Sequence, residues 1–352
     1  MRQTTRRLLA LLALMLLLFT GCAPKAGKAE ANRYTASFLD LFDTFSQMIL
    51  YCDTKEEANA LAQDIHDELL NYHQLYDIYN AYENINNLYT VNQQAATAPV
   101  QVEQRLMDLL VFAKEMYKLT DGRVNVAMGS VLSIWHDYRT SGMDDPQSAV
   151  LPPMEQLTEA AKHTNIDDLV LDTENLTVAF RDPALKLDVG AVGKGYAVER
   201  VAQLLIERGV TNALLSIGGN VRTIGTHADG TDFRVAVENP DKHAENQTLL
   251  TLNLHDLSLV TSGSYQRYYT VAGKAYHHII DPDTLMPSAY FWAVSVITQD
   301  SGLADALSTA LYNLPIEKGK TLIDGLDGVE VLWVANDGTL IESDGFSALV
   351  AK

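Results

Sequence analysis

Cysteine is nearly absent from this 352-residue chain, which holds only Cys22 and Cys52. So few thiols exclude a disulfide framework and any thiolate metal cluster. Cys52 ends the apolar run 48–52, where a packed, inert thiol is the usual role. Positive charge is also short: 26 Lys and Arg stand against 45 Asp and Glu, a formal charge of −19. A surface this acidic repels phosphate backbones and argues against a nucleic-acid partner. Any phosphate ligand must therefore be held by local amides, a lysine or a metal. Aromatics make up 8% of the chain, and no internal repeat is visible. The most apolar run, residues 8–19, is too short to span a bilayer.

That run is a targeting signal. Arg2, Arg6 and Arg7 precede it and Thr20-Gly21-Cys22 follows, giving a basic n-region, an apolar h-region and a short end. A cysteine straight after Gly has the form of a bacterial lipobox, with Phe19 where leucine is usual. Residues 1–22 are expected to be a lipoprotein signal peptide with Cys22 lipidated, 23–32 a tether, and 33–352 the folded domain. Losing the three arginines with the leader takes the charge from −19 to −22.

Along the domain, residues 38–52 read as a strand or strand pair containing Asp43-Thr44. Thr54 and Glu57 form a capping box that starts a helix with Leu61, Ile65, Leu69 and Tyr72 inward. Residues 76–92, rich in Tyr and Asn, read as a surface or ligand-facing loop. A second helix spans 102–119 and stops at Thr120-Asp121-Gly122. An apolar segment holds Trp135, and residues 141–153 read as an irregular excursion. A helix at 154–163 leads to a hairpin, 166–171 with 177–181. Short strands are expected at 213–217, 221–224, 233–237, 249–254, 257–261, 268–271 and 276–280. A helix at 302–314 and a hairpin around Asn336-Asp337-Gly338 close the chain. Interleaving without a βα period indicates α+β architecture, not a doubly wound parallel sheet.

The stretch 187–198, LDVGAVGKGYAV, places three glycines and Lys194 before an amphipathic run. Such glycines admit a ligand to the backbone, and the helix start beyond them favours an anion. Its spacing fits neither the P-loop nor the Rossmann fingerprint. The competing reading, glycines for helix packing alone, leaves Lys194 unexplained. Asp305 and Thr309 lie four apart on a helix face, suited to a hard cation such as Mg²⁺, or to the helix dipole and a local hydroxyl bond. In YHHIIDPDTLMP, His277 and His278 alternate to opposite faces, so at most one faces a site as a base. Zinc finds no third nitrogen or sulfur ligand there. Ser262-Gly263 in VTSGSYQRYY is either a hairpin turn or a pocket wall.

In this order, Asp43-Thr44, LDVGAVGKGYAV, SIGGN, VTSGSYQRYY, YHHIIDP and DALST resemble the ApbE family of FAD:protein FMN transferases, over about residues 38–346. The resemblance implies a two-lobed, T-fold-like α+β catalytic domain with mixed or antiparallel sheets. It implies Mg²⁺-dependent cleavage of FAD, transfer of FMN to a Thr or Ser of a flavoprotein acceptor of the redox-complex type, and release of AMP. Carried over by position, the metal site is the Ala191 carbonyl with Asp305 and Thr309. FAD contacts fall on Tyr79, Arg123, Val124, Asn125, Asp188, Lys194 and the backbone at Ile279, and His278 is the candidate base. Members of the family are usually anchored to the bacterial cell membrane and face outward, which agrees with Cys22. Val124-Asn125 replace the family's Phe-Asp, and Leu285 replaces a glycine, so a locally different turn is expected there. An FAD pyrophosphatase giving FMN and AMP, or a non-catalytic FAD-binding lipoprotein, are the alternative functions.

Overall fold

The computed structural model describes residues 32–352. The signal peptide, Cys22 and residues 23–31 of the tether lie outside the described residues. Asn32, the last residue assigned to the tether, belongs to a strand.

Strands β1 (Asn32–Leu41) and β2 (Thr44–Cys52) form the expected pair, turning through Phe42 and Asp43 at positive φ. The capping box starts helix α1 (Lys55–Tyr76): Thr54 Oγ1 accepts from the Glu57 amide and the Glu57 carboxylate accepts from the Thr54 amide. Ile65, Leu69 and Tyr72 are buried, while Leu61 is half-buried. The Tyr- and Asn-rich loop contains one short helix, α2 (Leu88–Gln94), capped by Asn87. After β3 (Val100–Gln101), helix α3 (Gln104–Leu119) stops where the sequence indicates. The segment around Trp135 is a full helix, α4 (Gly129–Asp144), so the irregular stretch starts after Asp144 and not at Ser141. Helix α5 (Met154–Ala161) and the hairpin β4 (Leu169–Asp172) and β5 (Thr177–Phe180) follow, with Ile166–Asp168 a 3-10 turn instead of strand.

Helix α6 (Gly193–Glu207) rises from the glycine stretch. Then come β6 (Ala213–Ile217), β7 (Asn220–Ile224), β8 (Phe233–Glu238), β9 (Thr248–Leu254), β10 (Ser258–Gly263), β11 (Tyr268–Val271) and β12 (Lys274–His277). The last of these ends before Ile279 and Ile280, and Ile280 makes only an isolated antiparallel bridge to Pro287. Strand β13 (Phe291–Thr298), helices α7 (Ser301–Tyr312) and α8 (Ile316–Ile323), and the hairpin β14 (Glu330–Ala335) and β15 (Leu340–Glu342) complete the chain.

Eight strands make one sheet in the order β1-β2-β6-β7-β10-β13-β14-β15, every neighbouring pair antiparallel. The α+β reading holds. In its second half both faces of the sheet are covered. Val294, Val296, Val331 and Trp333 turn toward α7 and α8, and Ala293, Ile297, Leu332 and Val334 toward the β8–β9 hairpin. A fully buried large side chain contributes roughly 1.5–3 kcal/mol, so β13, packed on both sides, anchors the sheet. Helices α1, α3 and α6 pack on β2 and β6. A smaller cluster of Val131, Trp135, Leu157 and Tyr269 joins α4, α5 and the β11–β12 ribbon. Residues of this cluster and of the main sheet's helices face each other across a cleft.

Candidate active site

The cleft encloses about 560 Å³, and every residue singled out in the sequence for flavin, metal or proton chemistry borders it. Its floor is the junction of α6 and α7. In an uninterrupted helix the Gly195 amide would bond the Ala191 carbonyl. Here it donates to Asp305 Oδ2 at 2.7 Å, while the Tyr196 amide returns to Val192. Among the described residues no amide serves the Ala191 carbonyl. A Cβ on Gly195 would lie 2.3 Å from the Ser301 carbonyl oxygen and 2.4 Å from Asp305 Cβ. Gly195 is thus a packing glycine and a ligand-shaping one together.

Asp305 is 5% exposed, and burial pushes its carboxyl up while the Lys194 charge and the Gly195 amide oppose this. It does not cap its helix; Asp300 does, accepting from the Leu303 amide at 2.9 Å. The helix-dipole reading of Asp305 therefore falls away. Lys194 Nζ donates to Asn220 Oδ1 at 3.2 Å, and the buried Asn220 Nδ2 has no partner. Thr309 Oγ1 lies 3.5 Å from Ser262 Oγ, at the end of β10, so Ser262-Gly263 is pocket wall and not a hairpin turn.

These donors fit a hard cation. Asp305 keeps one oxygen free, Ala191 offers an unclaimed carbonyl and Thr309 a hydroxyl. Mg²⁺ accepts such a sparse all-oxygen set and fills its shell with water and phosphate. No group of three His, Cys, Asp or Glu suited to a metal occurs among the described residues, so zinc finds no ligand set.

The two histidines separate as alternation requires. His277 is 8% exposed and fully used: Nε2 donates to the Ser288 carbonyl at 2.7 Å and Nδ1 accepts from the Ile279 amide at 3.2 Å. His278 faces the cleft. Its Nδ1 lies 3.2 Å from the Arg267 carbonyl, which can only accept, so the proton is assigned to Nδ1 and Nε2 is left as an acceptor. Burial, then the Arg267 charge, pushes its pKa down to about 3.

The remaining predicted residues mostly shape the wall. Arg123 clamps the Asp281–Asp283 turn, at 3.5 Å from Asp281 and 2.6 Å from Asp283. Val124 is buried, and Asn125 spends its amide on Thr164 O and Ala127 N, both at 2.9 Å. The Ile279 amide and carbonyl are taken by His277 and Ser288. Asp188 Oδ1 accepts from the Gly190 amide at 2.8 Å, and burial pushes its carboxyl up. Tyr79, 56% exposed, lays its ring 4.9 Å from that of His136.

At the expected departure, Leu285 takes φ +58°, the left-handed region that favours glycine. Strain of about 1–2 kcal/mol is offset because its carbonyl accepts from Trp135 Nε1 at 2.9 Å and its side chain packs beside Trp135. Sequence reasoning missed Asn220, His136, Arg139 and Arg267 as cleft-side residues. The only signals available were the Asn closing SIGGN, the helical i, i+3 spacing of His136 and Arg139, and the Arg inside SYQRYY.

Residues 42–333 match the model of the ApbE family. The FAD:protein FMN transferase of Escherichia coli K12 is 30% identical over 329 residues, covering 92% of this chain and 90% of the relative. The crystal structure of an ApbE protein from Thermotoga maritima MSB8 superposes with TM-score 0.79 at 25% identity, over 91% of this chain and 100% of that one. The flavin transferase ApbE of Vibrio cholerae, at 24% identity and TM-score 0.75, shares the fold over 91% of this chain and 99% of its own.

Proposed function

We propose, from the premise that this chain belongs to the ApbE family, that it moves FMN from FAD to a threonine or serine hydroxyl of a partner protein and releases AMP. The chain is a transferase of that family; the Mg²⁺ requirement, the AMP leaving group and the hydroxyl acceptor are the parts proposed. The observation that carries them is the Gly195–Asp305 closure, which gathers an open carbonyl, a buried carboxylate, Lys194 and a neutral histidine around one cleft.

Ala191, Asp305 and Thr309 would hold Mg²⁺, which when bound neutralises pyrophosphate charge. Lys194, steadied by Asn220, sits to pair with phosphate oxygens of the substrate. The acceptor oxygen attacks the FMN phosphorus, its proton passes to His278 Nε2, and the bond from that phosphorus to the AMP oxygen breaks with its electron pair. Tyr79, exposed beside the tilted His136 ring, offers an aromatic contact at the cleft rim for a flavin or adenine ring. Positioning and charge stabilisation supply most of the catalysis in this class of reaction, so a rigid floor matters more than a strong base.

The test incubates the mature domain with FAD, Mg²⁺ and a threonine-bearing acceptor flavoprotein, and follows mass and products. An FMN adduct with stoichiometric AMP is expected. Free FMN with AMP means an FAD pyrophosphatase, and intact FAD means a binding lipoprotein; either result rejects transfer. The lipobox supports an outward-facing position at a bacterial cell membrane, with the chain anchored through Cys22. Acceptors there would be membrane-associated redox subunits. Among the described residues no helix is long and apolar enough to cross a membrane, so lipid is the anchor proposed.

A further inference from the structure

Arg139 on α4 and Arg267 at the foot of the β11–β12 ribbon both border the cleft. Neither makes an ion pair among the described residues, as is also true of Arg33, Arg181, Arg200 and Arg234, but only these two of the six line the cleft. In a chain of charge −19, two guanidiniums without a carboxylate partner give this cleft local positive charge. Arg139 is half-buried, and its only polar partner is His136, whose Nδ1 accepts from it at 3.1 Å. Burial, then Arg139 itself, keeps His136 below its ordinary pKa and thus neutral. A guanidinium keeps its proton, and the donors of Arg139 that His136 leaves unfilled favour an anion. The Arg267 carbonyl lies 3.2 Å from His278 Nδ1, and Arg139, Arg267 and His278 all line the same cleft.

We propose that Arg139 and Arg267 form an anion subsite on the His278 wall that takes the non-bridging oxygens of the FMN phosphate, the phosphoryl group being transferred. This rests on the transfer reading above. An acceptor hydroxyl giving its proton to His278 Nε2 meets phosphorus on that wall, so the phosphoryl group that ends on the acceptor lies there. The adenylate phosphate stays with Lys194 and the oxygen donors of α6 and α7. The planar fork of arginine matches phosphate oxygens in pairs, which a lysine does not. Free FMN, which ends in that same phosphate, is the probe.

The experiment measures Kd of FMN, riboflavin, AMP and adenosine without Mg²⁺ for the full-length chain and for Arg139→Met and Arg267→Met. Wild type should bind FMN on the order of 10- to 100-fold more tightly than riboflavin, the worth of one or two charge-assisted bonds. Each variant should lose most of that ratio, with riboflavin affinity and the AMP-to-adenosine ratio unchanged. Arg267 is exposed, so Arg267→Met decides the matter even where Arg139→Met does not fold. An FMN-to-riboflavin ratio intact in the variants overturns the subsite. So does a loss confined to the AMP-to-adenosine ratio, or a rise confined to KM for the acceptor. Flavinylation by wild type is assayed alongside. No transfer at all removes the reading beneath the proposal, whereas transfer with the ratio unaffected by either variant removes the subsite alone.

Discussion

The Gly195 amide and the Asp305 carboxylate meet at 2.7 Å across 110 positions of chain. One hydrogen bond thereby ties the glycine stretch to the DALST helix, frees the Ala191 carbonyl and orients Asp305. Most of the site's behaviour follows from this contact.

Gly195→Ala should be severe. Its methyl would meet the Ser301 carbonyl oxygen and Asp305 Cβ well inside contact distance. Forcing α6 from α7 costs about 1–3 kcal/mol or more. Thermal unfolding should show a lowered Tm, and flavinylation should be lost; a variant with wild-type turnover would contradict the closure.

Asp305→Asn separates fold from chemistry. The amide oxygen can still accept from Gly195, and a neutral group suits a buried place better than a charged one. The Tm should be kept or raised while Mg²⁺-dependent turnover disappears at any Mg²⁺ concentration. Turnover restored by excess Mg²⁺ would mean that Asp305 is not required as an anion.

His278 makes an acid-side prediction. Its folded pKa of about 3 lies below the ordinary 6.5. Between those values the unfolded chain takes up a proton that the folded one refuses. Stability therefore falls as pH drops through that window and is unaffected above it. His278→Gln should shift acid unfolding, followed by circular dichroism, to lower pH and abolish transfer at neutral pH. An acid transition unmoved by the change counts against a His278 that stays neutral in the folded chain.

Glu199 and Arg222 are 3% and 4% exposed and pair at 2.9 Å, while Glu199 also accepts from the Ser301 amide at the start of α7. Arg222→Met strands a buried carboxylate and should cost about 3–5 kcal/mol in denaturant unfolding. Glu199→Gln, which retains an oxygen for one donor, should cost less. Equal small losses would show that water already reaches the pair.

Cys22→Ser should move the protein from the membrane to the soluble fraction on cell fractionation, with transfer by the purified chain unchanged. Persistent membrane association would remove the lipid anchor.

Local signals were legible where local physics decides. The Thr54–Glu57 box, the stop at Gly122 and the Asn336-Asp337-Gly338 turn each need only their own neighbours. Strand β13 was invisible because its FWAVSVIT run is covered on both faces, so no alternation marks it. Helix α4 runs on through Ser141 and Gly142 because Gly142 lies against Tyr269, a contact made by a distant strand. For the site, the glycines and Asp305 could be named but not joined, since their bond spans 110 residues. Leu285 shows the reverse: its left-handed backbone is held by a bond from Trp135, 150 residues away, that its own neighbours could not announce.

Strand β1 opening at Asn32 also limits where this protein can work. With Cys22 held in lipid, residues 23–31 are all that separates the bilayer from the sheet. Nine residues stretch to roughly 30 Å at most. On the proposed lipid anchor, the cleft would be leashed close to the headgroups, and an acceptor would be selected by how near its target hydroxyl comes to the membrane as well as by its sequence.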